Sequence, residues 1–338
     1  MKAIRAVEPY NVQWVDMEKP ALKHPRDLRI RVRAAGVCGS DIHIWHGTNI
    51  NATYPRILGH EIAGEVEAVG PQVERLKVGD RVVLEPTRSC GSCYACANGR
   101  PNVCQSLEVF GVHADGGFCE YFVADEGNFH KVPDSLPFEH AALIEPCTIA
   151  AQSVWRGGVR TGDLVLIQGA GPIGLLIANA AKSLGTVVIV SEVNAHRLGI
   201  AGQFGADHLI NPAEQDLKAR LGEITNGMGP NVIFEATGVP ALISETVEIA
   251  SVAGRIVPLA FNTEPIPVNF SQIVKKELAI CGTRLQTHQF APVIERFEEN
   301  LERVSRLITG VYPAEEFMRA FNDFVARDSK HCKVMLTF

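Results

Sequence analysis

The chain has no apolar run near the length of a membrane span, and its start, "MKAIRAVEPYNVQWVD", has no apolar leader core. A spanning helix needs about 20 mostly apolar residues, and a secretory leader needs an apolar core and a small-residue cleavage site. These absences predict a cytoplasmic protein with no membrane partner. A basic excess is also missing: 32 Lys and Arg stand against 38 Asp and Glu, for a net charge of −6. Nucleic acid would require a basic face, so no nucleic-acid partner is expected. There is no block of like charge to act as a binding tail, no internal repeat and no low-complexity linker.

What the chain does have is turn formers and thiols: 30 Gly, 19 Pro and nine Cys in 338 residues. That length is long for one core and comfortable for two domains. An odd number of cysteines in a reducing compartment predicts thiols or metal ligands rather than bridges.

Four of the nine fall in "CGSCYACANGRPNVC": Cys90, Cys93, Cys96 and Cys104. Two-residue gaps let successive thiolates turn onto one point, and a short loop returns the fourth. Four thiolates in a tetrahedron suit zinc and leave no open position for substrate. A disulfide pair and an iron–sulfur cluster are the rival readings. Structural zinc fixing a lobe over residues 85–108 is the preferred one.

A catalytic zinc needs protein ligands plus an open position. "GVCGSDIH" offers Cys38, and "ILGHEIAGEV" offers His60 and Glu61. Taken alone, Cys38 reads as a small buried residue and His60 as a hydrogen-bonded histidine. On a strand, adjacent His60 and Glu61 would face opposite ways, so both reach one ion only where the backbone bends.

"DLVLIQGAGPIGLLIANAAKSLG" reads as an apolar strand from Asp163 to Gln168, a glycine turn, and a helix from about Ile173. Gly169, Gly171 and Gly174 form G-x-G-x-x-G, and a second apolar strand, "TVVIVSE", follows at βαβ spacing. The turn 169–174, with Pro172 and Ile173, would take a dinucleotide pyrophosphate at a helix N-terminus. Glu192 lies twenty-one residues after Gly171, placed to accept hydrogen bonds from ribose hydroxyls and to repel a 2′-phosphate. NAD is expected over NADP, although Arg197 could welcome a phosphate. Further βα alternation through "LAICGTRL" predicts a doubly wound parallel sheet, whereas residues 1–148 read as an irregular β domain.

The order C-G-S-D-x-H, G-H-E, four-cysteine lobe, "LIEP" and glycine motif resembles the zinc-dependent medium-chain dehydrogenase/reductase superfamily over essentially the whole chain. The resemblance implies a GroES-like catalytic domain over 1–148, a Rossmann NAD-binding domain over 149–284, and a segment 285–338 that rejoins the first. It implies two zinc ions per chain. Cys38 and His60 match catalytic-zinc ligands, Glu145 a carboxylate bound directly or through water, and Glu61 an acid that swaps onto the metal in some members. Cys147 is the rival to Glu145. Ser40 and His43 match a proton relay, Thr237, Gly238, Leu259 and Thr283 the nicotinamide side, and Arg197 a residue packed on adenine.

"GVHADGGFCEY", "LIEPCTIAA", "CGTRLQ" and "DSKHCKVMLTF" resemble the bacterial branch of starvation-sensing and hexonate 5-dehydrogenase proteins. That implies C5 oxidation of a sugar acid of L-gulonate or L-galactonate type, with Arg284 facing the substrate. Sorbitol-type and L-threonine dehydrogenases are the alternatives within enzymes. A nucleotide-binding relative without chemistry would be expected to lack zinc ligands, and Cys38, His60 and Glu145 all stand. Members are usually homodimers or homotetramers.

Overall fold

The computed structural model describes residues 1–261, 264–326 and 331–338. The chain divides into two units, Met1–Glu145 with Phe290–Phe338, and Pro146–Gln289.

The first unit is built on a seven-stranded, largely antiparallel sheet around the strand Asp27–Val37. Its sequence, DLRIRVRAAGV, shows why. Leu28, Ile30, Val32 and Ala34 alternate inward against three arginines, and then Ala35, Gly36 and Val37 are all buried, so the strand passes from a half-wet surface into the interior. Glu61–Val69 pairs with it on one side, and the C-terminal strand Lys333–Thr337 pairs with it antiparallel on the other. Ile308–Pro313 lies parallel beyond that last strand. A helix, Phe317–Val325, precedes that last strand. The start of the phrase 328–338 lies outside the described residues.

The second unit carries six parallel strands in the spatial order His208–Ile210, Val187–Ser191, Leu164–Gln168, Val232–Glu235, Arg255–Pro258, Ala279–Ile280. Counted along the chain this is 3-2-1-4-5-6, the doubly wound dinucleotide-binding order, with its reversal beside Leu164–Gln168. Leu166, Ile189, Ile233 and Ile256 stack across one face against Leu217, Leu221, Val247 and Ile249. Near-continuous apolar runs are what a sheet covered on both faces requires. The fold class is therefore a Rossmann sheet plus a GroES-like β domain. Among the described residues, no helix is long and apolar enough to cross a membrane.

Candidate active site

In the first unit, Cys38, His60 and Glu61 each present one ligand atom, and these atoms lie within 4.8 Å of one another. Zinc bound at about 2.0–2.3 Å holds its ligand atoms roughly 3.3–3.8 Å apart, so the cluster is on the scale of one ion. The local chain explains the convergence. Cys38 ends the buried strand Asp27–Val37 and caps the short helix Gly39–Trp45. Gly59, at φ +88°, turns the backbone just before His60, and Glu61 then begins its strand. This is the bend that adjacent ligands need.

Asp41 ties the two segments together. Its buried carboxylate accepts the Cys38 N–H at 2.9 Å and the Gly59 N–H at 3.1 Å, and stands 3.8 Å from His60 Nδ1. Among the described residues, His60 Nδ1 and the Ser40 hydroxyl are buried without a hydrogen-bond partner. Burial by itself would depress the His60 imidazole. The Cys38 thiolate, then Asp41 and Glu145, outweigh it and hold His60 well above its ordinary value. The negative field set by Cys38, Asp41 and Glu145 favours a cation, and the donor set of thiol, imidazole and carboxylate fits a zinc ion.

Glu145 is buried and pushed up to about 7, first by burial and against the His60 charge, so it stands within electrostatic reach of the cluster. The three converging atoms include Glu61 rather than Glu145, and Cys147 is not among them. His43 is exposed on the same short helix as Ser40, its Nδ1 2.9 Å from Thr48 Oγ1.

Two residues went unnoticed in the sequence. Asp41 was hidden inside a motif read for its cysteine and serine. Lys333 is buried, and its Nζ donates to both Glu61 oxygens at 2.7 and 2.6 Å and to the Val37 carbonyl at 3.2 Å. Burial opposes its charge, but Glu61 and Cys38 more than compensate and raise it to about 12. A lysine inside the apolar run "CKVMLTF" was the available signal, because lysine is almost never fully buried unless paired.

Cys90, Cys93, Cys96 and Cys104 also converge. Their sulfurs are 3.5 Å apart for Cys93–Cys96 and Cys90–Cys104, and 3.8 Å for Cys93–Cys104. Four thiolates around one zinc stand about 3.8 Å apart, whereas a disulfide closes to about 2.05 Å. A multi-iron cluster would hold them wider. Backbone N–H groups of Cys90, Cys93 and Ser106 donate to these sulfurs at 3.3 Å. Such bonds, from Ser92 first and then Cys93, lower the Cys90 thiol to about 6. The group is suited to hold one metal ion and to do no chemistry.

In the second unit, Gly169 has φ +101°, and a Cβ on Gly174 would stand 2.0 Å from the Gly169 carbonyl oxygen. Those two glycines are required by the turn itself. Gly171 is different: a Cβ there meets nothing within 4 Å, so open space lies over the start of the helix Pro172–Lys182, which contains Ile173. That space fits a pyrophosphate at a helix N-terminus. Glu192 follows the strand Val187–Ser191, and its carboxylate accepts the Ala170 N–H and the Asn194 N–H, each at 2.8 Å. The acid is thus bound to the glycine turn, and each oxygen retains acceptor capacity for a ribose hydroxyl.

Arg197 lies in the helix Ala195–Gln203, whose start Asn194 caps through the Arg197 N–H. Thr237 and Gly238 are held by the buried Glu235 carboxylate, which accepts the Thr237 N–H at 2.8 Å and the Gly238 N–H at 3.1 Å. The Leu259 N–H donates to the Glu235 carbonyl, and Thr283 Oγ1 is 3.5 Å from Ser153 Oγ. The Arg284 guanidinium lies 5.9 Å from the centre of the exposed Phe261 ring.

Comparison with known proteins identifies the family. The family description "Alcohol dehydrogenase GroES-like domain" matches residues 24–134, and "Zinc-binding dehydrogenase" matches residues 172–299. Starvation-sensing protein RspB of Escherichia coli K12 is 42% identical over 343 residues, covering 100% of this chain and 99% of that protein. A crystal structure of RspB from E. coli CFT073, complexed with NADH, superposes with a TM-score of 0.95 at 40% identity, covering 100% and 99%. The L-threonine 3-dehydrogenase of Pyrococcus horikoshii is 40% identical, covering 83% of this chain and 82% of its own. The 2-dehydro-3-deoxy-L-galactonate 5-dehydrogenase of Pseudoalteromonas atlantica is 34% identical, covering 87% of each.

Proposed function

The chain belongs to the zinc-type medium-chain dehydrogenases, and from that premise we propose that it oxidises a sugar acid of L-gulonate or L-galactonate type at C5, passing hydride to NAD. The observation that carries this reading is the meeting of Cys38, His60 and Glu61, with the unpartnered Ser40 hydroxyl two residues past Cys38. Similarity to a galactonate-type 5-dehydrogenase supports the substrate class.

In this reading Cys38 and His60 grip a catalytic zinc, and Glu145 completes the set directly or through water. A zinc ion held there supplies Lewis acidity, which lowers the pKa of an alcohol hydroxyl as it lowers that of water from 15.7 to about 7. Ser40 Oγ, buried and without a hydrogen-bond partner among the described residues, accepts the hydroxyl proton as it releases its own. His43, exposed one turn along the same helix, hands it to solvent, a task imidazoles perform near neutral pH. Asp41 fixes the cysteine and histidine segments so that neither drifts when substrate arrives. Cys90, Cys93, Cys96 and Cys104 would hold a second zinc. Glu192 accepts the adenosine ribose hydroxyls and repels a 2′-phosphate, which supports NAD. Arg284 meets the substrate carboxylate.

The test is a panel of L-gulonate, L-galactonate, sorbitol and L-threonine with NAD and NADP in parallel, followed by reduced-nicotinamide absorbance. Turnover of a hexonate with NAD is the expected result. Turnover of L-threonine with no activity on hexonates would establish the second reading, which 40% identity to a threonine dehydrogenase favours. Ser40→Ala is expected to lower kcat by about 100-fold, the lower end for lost acid–base catalysis, with zinc content unchanged. Unaltered kcat in that variant would remove Ser40 from the relay.

A further inference from the structure

We propose that Lys333 is a positioning residue that holds the Glu61 carboxylate off the metal and so keeps a coordination position open for substrate. The inference rests on the reading that a zinc ion sits at the Cys38–His60 centre.

Glu61 is the anomaly of the site. It follows a ligand directly and lies inside the ligand cluster, yet both of its oxygens face Lys333 Nζ, at 2.7 and 2.6 Å. With Cys38, His60 and Glu145 on the ion, a fourth protein ligand would close the tetrahedron, and closed sites are structural rather than catalytic. An unpaired carboxylate this close to a dication would be drawn onto it. A partner cation of fixed position prevents that.

Lys333 is well fixed. Its strand is laddered to the one leading into Cys38, with Val334 opposite Val37 and Met335 opposite Gly36, and Gly36 in turn opposite Glu61. Its remaining contact goes to the Val37 carbonyl, so the ammonium can follow neither the metal nor solvent. Gly36 belongs to the same device. A Cβ there would stand 2.1 Å from Glu61 Oε2, so the missing side chain is the space into which the carboxylate is turned. Stability alone does not explain the pair, because a buried ion pair is often no better than two apolar residues of similar volume.

The experiment uses the full chain with Co2+ in place of zinc, read by visible absorption, since cobalt bands report ligand number and geometry. Lys333→Met is expected to change that spectrum and to lower kcat by about 10- to 100-fold, the range seen when groups orienting metal ligands are lost. Adding Glu61→Gln to Lys333→Met is expected to return the spectrum to that of the parent, because a neutral amide competes poorly for the ion. A parent-like spectrum in Lys333→Met, or an equal change with and without Glu61→Gln, would overturn the proposal and leave Lys333 as packing. Should Lys333→Met not fold, the double variant, which buries no unpaired charge, is compared with the parent, and an altered spectrum there sinks the idea. If Cys38→Ala takes up as much cobalt as the parent, it is the underlying zinc reading that has failed.

Discussion

Cys38→Ala is expected to lower turnover by more than 100-fold while both units stay folded and one of two zinc ions per chain remains. Groups that merely orient a metal ligand cost about 10- to 100-fold when removed, and a ligand itself costs more. The packing loss is small, since one sulfur leaves a half-buried position at a strand end, while the Asp41 bonds to the Cys38 and Gly59 N–H groups come from backbone and survive. Metal analysis, far-ultraviolet circular dichroism and turnover on the same preparation give the answer. Retained activity, or loss of both metals with the fold, would contradict a separate catalytic centre.

Cys96→Ala should act in the opposite way, dismantling a lobe without touching the chemistry. The segment has almost no apolar core: the short helix Tyr94–Ala97 buries none of its residues, and Asn102 is the one buried residue of the turn Pro101–Val103. A structural zinc supplies an apparent binding free energy of about 10–16 kcal/mol that acts as folding free energy. With one of four thiolates gone, the variant should hold one zinc per chain and be cut by protease within residues 90–104. Metal content and the mapped cleavage site read this out. A lobe that resists protease as the parent does, with the second zinc absent, would show that the metal does not organise it.

The parts of the molecule that were legible in sequence are those whose logic is local. Cys90, Cys93, Cys96 and Cys104 span fifteen residues, and short loops leave few ways to arrange them. Gly169, Gly171 and Gly174 report a turn made within six residues, and the strand on either side announces itself by apolar runs. The doubly wound class follows from the βα alternation, whereas the order 3-2-1-4-5-6 is one of several that right-handed crossovers allow. By contrast, the share of each carboxylate at the Cys38 centre could not be read, since adjacency to His60 says nothing about where the Glu61 oxygens turn.

Sequence alone pointed to a four-cysteine cluster and a glycine turn, which rest on spacing within a few residues, and to a doubly wound sheet, which rests on repeated βα alternation. Only the tertiary structure decided that Asp41 joins Cys38 to Gly59, and that Lys333, 272 residues from Glu61, neutralises it. The reason is electrostatic: a buried charge is tolerated only beside its partner, and which partner arrives depends on which strands lie side by side, a choice made by the packing of the whole sheet.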